Sequence, residues 1–123
     1  MRNFRNLDIW KKSMNLVTNI YKTTATLPDT EKFGLISQMQ RCAVSIPSNI
    51  AEGCSRSSEK EYKRFLEIAQ GSSFELETQL LICKAVNHLT SEKVEVLVDE
   101  VHQVQRQING LISTIKTSLR KKR

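Results

Sequence analysis

The sequence predicts an all-α fold, an up-down-up-down antiparallel four-helix bundle whose second helix is kinked or broken at Pro47. Three observations carry that prediction. Apolar residues recur at steps of three and four along four segments, the links between those segments are short, and no alternating strand pattern occurs anywhere in the chain.

The first segment runs from about Leu7 to Leu27 and stops at Pro28. Leu7, Trp10, Met14, Val17 and Tyr21 form one apolar stripe, and Ile9, Leu16, Ile20 and Leu27 form a second beside it. Two stripes on one helix predict contact with more than the neighbouring helix. They make Ile9, Leu16 and Ile20 candidate oligomer-interface or structural positions.

The second segment follows the capping side chains Asp29 and Thr30 and runs through Phe33, Ile36, Met39, Ala43 and Ile50 to Gly53. Pro47 lies inside it. Proline lacks the backbone N–H and crowds the carbonyl four residues earlier, that of Ala43, at a cost of about 3 kcal/mol in a helix interior. A bend is therefore predicted, with Ser45, Ser48 and Asn49 placed to serve the released backbone groups or a neighbouring subunit. Gly53 is read as the left-handed residue that closes the helix.

The third segment opens at Ser58, whose spacing to Glu61 fits a capping box, and extends from Glu59 to about Leu89. In its middle, Ala69-Gln70-Gly71-Ser72-Ser73 is small, which predicts close approach of another backbone, that of the Ala43 to Ser48 region. The fourth segment opens at Thr90 or Ser91. Val94, Leu97, Val101, Val104, Ile108, Leu111 and Ile115 fill seven of eight successive a/d positions, a repeat that favours shallow left-handed crossing. Residues 1–119 form a single domain in this reading, and Arg120 to Arg123 a basic, disordered tail.

Composition narrows the functional classes. The 123 residues contain 39% hydrophobic and 26% charged positions, which suits one soluble helical domain. No run is long and apolar enough to span a membrane and no signal-peptide zones open the chain, so a cytoplasmic location without membrane association is expected. Cys42, Cys54 and Cys83 include no C-x-x-C pair and are read as free buried thiols, with Cys54 the most solvent-accessible.

Catalysis needs a nucleophile, base or metal in convergent geometry, and little here supplies one. His102 shares a helix face with Asp99 or Glu95, but no third ligand is evident. Glu75 and Glu77 point to different faces. No glycine-rich phosphate loop is present. No enzyme activity, metal or cofactor is assigned.

The net charge of +6 is unevenly placed. Residues 1–64 hold eleven Lys/Arg against six Asp/Glu, residues 65–115 three against seven, and residues 116–123 five against none. Separate positive zones suit a polyanion or an acidic protein. Lys11 and Lys12, Arg56, and Lys60, Lys63 and Arg64 are expected to cluster at one bundle end, with Lys60, Lys63 and Arg64 on one face. Arg41 and the tail residues Arg120, Lys121, Lys122 and Arg123 complete the candidate nucleic-acid-binding set. Trp10, Tyr21, Phe33, Tyr62, Phe65 and Phe74 are read mainly as core, with Tyr62 the best candidate for base stacking.

Several stretches carry a resemblance beyond composition. They are Leu7-Asp8-Ile9-Trp10-Lys11, the run from Gln38 to Gly53 that includes Ser45-Ile46-Pro47-Ser48-Asn49, Phe65 to Ser72, Glu75-Leu76-Glu77-Thr78-Gln79-Leu80, and Ile108 to Ile112. In these the chain resembles the bacterial four-helix-bundle proteins encoded in intervening sequences of 23S ribosomal RNA genes. A related branch is the accessory variability determinant of diversity-generating retroelements. The resemblance implies a homo-oligomer, a barrel-like pentamer, and in the related branch a basic protein that binds nucleic acid beside a reverse transcriptase. Gln40 and Cys42 depart from the more basic or small residues expected around Arg41. The resulting expectation is a non-catalytic oligomer that binds structured RNA, or DNA, through basic surface residues; the alternative is a scaffold or accessory subunit for a partner protein.

Overall fold

The structure, a computed structural model, describes residues 2–122. Four helices, α1 (Asp8–Thr24), α2 (Leu35–Cys54), α3 (Glu59–Ala85) and α4 (Ser91–Lys121), are preceded and joined by single 3-10 turns at Phe4–Asn6 and Asp29–Glu31. Among the described residues there is no strand. Each helix packs on two others in the cycle α1–α2–α3–α4–α1. Rising numbers on one helix meet falling numbers on the next. Gln70 and Glu77 of α3 bond to residues 105 and 102 of α4, and Ser45 and Cys42 of α2 bond to Ser72 and Gln79 of α3. The bundle is therefore antiparallel throughout.

Capping explains the clean starts of α3 and α4. Ser58 Oγ accepts from the amide of Glu61, and Thr90 Oγ1 accepts from that of Lys93. α3 stops at Ala85, earlier than the apolar pattern suggests, because Asn87 takes the left-handed conformation at φ 63°. That turn lets the amides of His88 and Leu89 reach back to the Cys83 carbonyl.

The core corrects the reading of α1. Ile9, Leu16 and Ile20 are buried inside the bundle, so they serve the chain's own core and offer no surface to a sister subunit. The other stripe lies at the margin of the bundle, with Leu7, Trp10 and Val17 half-buried against the core and Met14 and Tyr21 more than 40% exposed. Polar residues on the inward row hid its direction. Ser13 sits fully buried by donating to the Trp10 carbonyl at 2.8 Å, and Thr24 is buried while bonding Tyr21 and Gln40.

α2 is continuous through Pro47, so the break offered by the sequence is absent. Asn49 Nδ2 donates to the Ser45 carbonyl at 2.8 Å and to Ser45 Oγ at 3.0 Å, and Ser45 Oγ pairs with Ser72 Oγ at 2.8 Å. Thus Asn49 and Ser45 link proline's turn to α3, whereas Ser48 is exposed. Phe33, read as part of α2, precedes it and is 89% exposed.

Gly53 does not take a left-handed conformation. It lies within α2, where an added Cβ would stand 2.9 Å from Tyr62 Cδ1 and 3.0 Å from Phe65 Cβ. Its missing side chain lets α3 approach. Gly71, expected to do this, faces open space, and buried Ala69, Ser72 and Ser73 line the inner side of α3 instead.

On α4, Ile112 takes the buried place assigned to Leu111. It lies about five 3.6-residue turns beyond Val94, so a nearly straight helix returns it to the same side while a strict heptad drifts away. The helix continues to Lys121, which makes Arg120 and Lys121 its last turn rather than a loose tail. Arg123 lies outside the described residues.

Candidate functional site

The end of the bundle where α2 stops, α3 starts and α4 finishes gathers most of the predicted cations. Arg56, Lys60, Lys63 and Arg64 line one open groove of about 1030 Å³ with Phe65 of α3 and Leu119 of α4, and Glu61 and Glu67 share its rim. The three α3 cations occupy the first two turns, where spacings of three and four place them together. Leu119 brings the last turn of α4 alongside, while Lys121 and the C-cap Lys122 line a separate groove with Thr114, Thr117 and Ser118. Cations there also complement the negative end of the α4 dipole.

The groove holds both fixed and free charges. Arg56 is fixed: its Nη2 lies 3.0 Å from Glu52 Oε2 and its guanidinium stacks 4.8 Å from the Phe65 ring centre. Lys63 bonds Glu67 at 3.3 Å, a different partner from the Glu59 that helical spacing suggests. Among the described residues, neither Lys60 nor Arg64 has a carboxylate within 4.0 Å. Those two cations are available to an incoming anion.

A second groove, of about 560 Å³, adjoins the first through Arg56 and adds Arg2, Ser55 and Ser57. Arg2 was missed because it precedes every periodic segment. It reaches α3, with its guanidinium 4.1 Å from the Tyr62 ring centre and 3.9 Å from Glu59. Tyr62 is consequently no stacking platform: it is buried beneath Arg2, and burial pushes its hydroxyl up to about 12.

Other predicted cations lie elsewhere. Lys12 pairs with Asp8 at 3.4 Å and faces a polar groove between α1 and α4, while Lys11 is exposed on α1. Arg41 is exposed on α2, roughly 20 Å along the axis from Arg56. Lys11, Lys12 and Arg41 therefore do not join the basic end.

The remaining chemical groups are engaged within the fold. All three thiols are buried and burial pushes each one up, including Cys54, which was expected to be the accessible one. His102 Nε2 lies 3.1 Å from Glu77 and His88 Nε2 3.0 Å from Glu31, so both rings bridge separate elements. Glu77 is held below the usual carboxylate range by its hydrogen bond from Gln105 and then by His102. Glu31 is lowered by His88 and by the Leu35 amide. Glu75 and Glu77 do diverge, toward Cys42 and toward α4 respectively. The arrangement at the basic end can hold phosphates by charge and hydrogen bonding.

Comparison with known proteins places this bundle. The profile of the 23S rRNA-intervening sequence proteins matches residues 5–110, nearly the whole chain. The chain belongs to that family. A crystal structure of a protein of unknown function from the S23 ribosomal protein family of Bacteroides thetaiotaomicron is similar in fold, with a TM-score of 0.77. It is 22% identical, and the match covers 85% of this chain and 97% of that one. No curated protein matches the sequence. Among the described residues of this family member, no helix is long and apolar enough to cross a membrane.

Proposed function

We propose that this 23S rRNA-intervening sequence protein is a cytoplasmic, non-catalytic homo-oligomer that binds structured RNA through the phosphates. The observation that carries the reading is the convergence of Arg56, Lys60, Lys63 and Arg64 on one groove beside the last turn of α4. Two of those cations lack an internal carboxylate partner among the described residues, and adjacent Arg2, Ser55 and Ser57 extend the surface. Such a surface reads backbone charge rather than base sequence. Repetition of the patch in a homo-oligomer multiplies the phosphate contacts. The homo-oligomer itself is supported by the family resemblance.

Fluorescence anisotropy of labelled structured RNA and duplex DNA over a salt series tests this. Six or more phosphate contacts predict a loss of at least about 10³ in affinity between 50 and 200 mM salt. Lys60→Ala with Arg64→Ala should flatten the salt dependence, whereas Arg41→Ala should leave it almost unchanged. Absence of binding to either polymer at low salt would refute the proposal. It would favour instead a scaffold for a partner protein, a reading supported by the exposed apolar Ile68, Phe74 and Leu81.

A further inference from the structure

The groove between α1 and α4 differs in chemistry from the basic end. It encloses about 550 Å³, and every side chain that lines it is polar. Lys12 and Lys22 stand at its two ends, about 15 Å apart along α1. Between them lie three carboxamides, Asn15 and Asn19 of α1 and Gln103 of α4. Asn19 is engaged, donating to both oxygens of Glu100 at 3.0 Å. Asn15 and Gln103 are exposed, and among the described residues neither side chain has a hydrogen-bond partner.

That lining selects a ligand. No apolar wall is offered to a base or a lipid chain, and the Glu100 carboxylate repels a phosphate placed at the middle. A carboxamide both donates and accepts, and a carboxylate accepts, so the group that suits this centre is a hydroxyl. The lysines at the ends suit anions on either side of it. Hydroxyls flanked by phosphates form the sugar edge of an RNA strand, and the 2′-hydroxyl is what DNA lacks.

The surroundings favour the same polymer. After Asp8 there is no Asp or Glu on α1, and after Glu100 there is none on α4. Both of those carboxylates are engaged, Asp8 by Gln107 and Lys12 and Glu100 by Asn19. The groove also leads back to the basic end, since Asp8 at the start of α1 meets Gln107, and Thr114, Thr117, Lys121 and Lys122 line the next groove along α4. A strand entering from the basic end meets Gln103 before any free carboxylate of α4.

We infer that the α1/α4 groove receives the ribose hydroxyls of an RNA strand, with Asn15 and Gln103 on the hydroxyls and Lys12 and Lys22 on the flanking phosphates. The inference rests on the RNA binding of the proposed function and adds the means by which RNA is chosen over DNA.

Fluorescence anisotropy of a labelled RNA hairpin, and of the same sequence built from 2′-O-methyl riboses, tests it. Methylation keeps the phosphates and the A-form helix while removing the hydroxyl donor. The parent should bind the unmodified hairpin about tenfold more tightly, and Asn15→Ala with Gln103→Ala should erase that preference by weakening the unmodified hairpin alone. Both positions are exposed, so the double variant should retain the parent Tm. Lys22→Ala should weaken both hairpins alike and lower the salt slope by about one. A parent that binds the two hairpins equally, or a double variant that keeps the preference, would overturn the ribose site while leaving phosphate binding at the basic end standing. A parent that binds neither hairpin at low salt would overturn the RNA reading as well.

Discussion

The seam between α2 and α3 and the seam between α1 and α4 are built from different materials. Across α2/α3 the backbones approach closely at Gly53, and buried or half-buried groups face one another: Ser45 with Ser72, Cys42 with Gln79, and Met39 with Cys83. Across α1/α4 the polar links are longer side chains at the solvent edge, Asn19 to Glu100 at 3.0 Å and Gln107 to Asp8 at 2.8 Å. One seam relies on steric fit, which has little capacity to adjust; the other has an adaptable polar margin. The basic end is positioned by the rigid seam, because Arg56 follows α2 directly and Lys60, Lys63 and Arg64 begin α3.

The strongest way to break the contrast is Gly53→Val. Its first added carbon already falls within 3.0 Å of the α3 side chains, including the Phe65 Cβ that cannot swing away. Overpacking should cost about 3 kcal/mol, more than valine's better helix propensity returns, read as a lowered urea midpoint. Phosphate binding should decline with it, since Phe65 lines the basic groove. A Gly53→Val protein of parent stability would show that the seam yields.

A smaller effect is expected at Ser45. Its hydroxyl meets both Ser72 and Asn49, so Ser45→Ala leaves buried Ser72 without that partner and should cost about 1–2 kcal/mol. Ser45→Ala combined with Ser72→Ala should cost less than the sum of the single changes, because no hydroxyl is then stranded. Additive losses in that double-mutant cycle would show that the two hydroxyls act independently.

These seams also mark how far the sequence could be read. Local chemistry exposed the helices: Ser58 and Thr90 are caps wherever their helices pack, and the α4 stripe needs no partner to be recognised. Gly53 was legible as special but misassigned, since a helix end and a close crossing both favour glycine and only the position of Tyr62 separates them. On α1 the buried row is diluted by Ser13, Thr23 and Thr24, whose hydroxyls are satisfied or covered only in the folded bundle. The basic site was legible along α3, where Lys60, Lys63 and Arg64 share a face by spacing alone. Leu119 and Arg2 join it through the register between distant segments, which no local pattern encodes. For the same reason Lys11, Lys12 and Arg41 could not be separated from the cluster beforehand.

The adaptable seam should reveal itself most gently through pH. Asp8 is held below its ordinary 3.8 by the hydrogen bond from Gln107, then by the nearby Lys12 charge. A carboxylate whose folded pKa lies below its unfolded value contributes stability that is present above the unfolded pKa and lost as pH falls through the folded one. Acidification below about pH 4 should therefore loosen the start of α1 from α4 while α2/α3, held largely by neutral contacts, persists. Hydrogen exchange should show α1 amides deprotected before those of α2 and α3. Gln107→Ala should bring the Asp8 titration, followed by carboxyl NMR, back toward 3.8 with little change in neutral-pH stability, because this carboxylate is exposed. An Asp8 titration unmoved by Gln107→Ala would mean that Lys12 alone holds the charge, and the polar margin of α1/α4 would then lose one of its two links between helices.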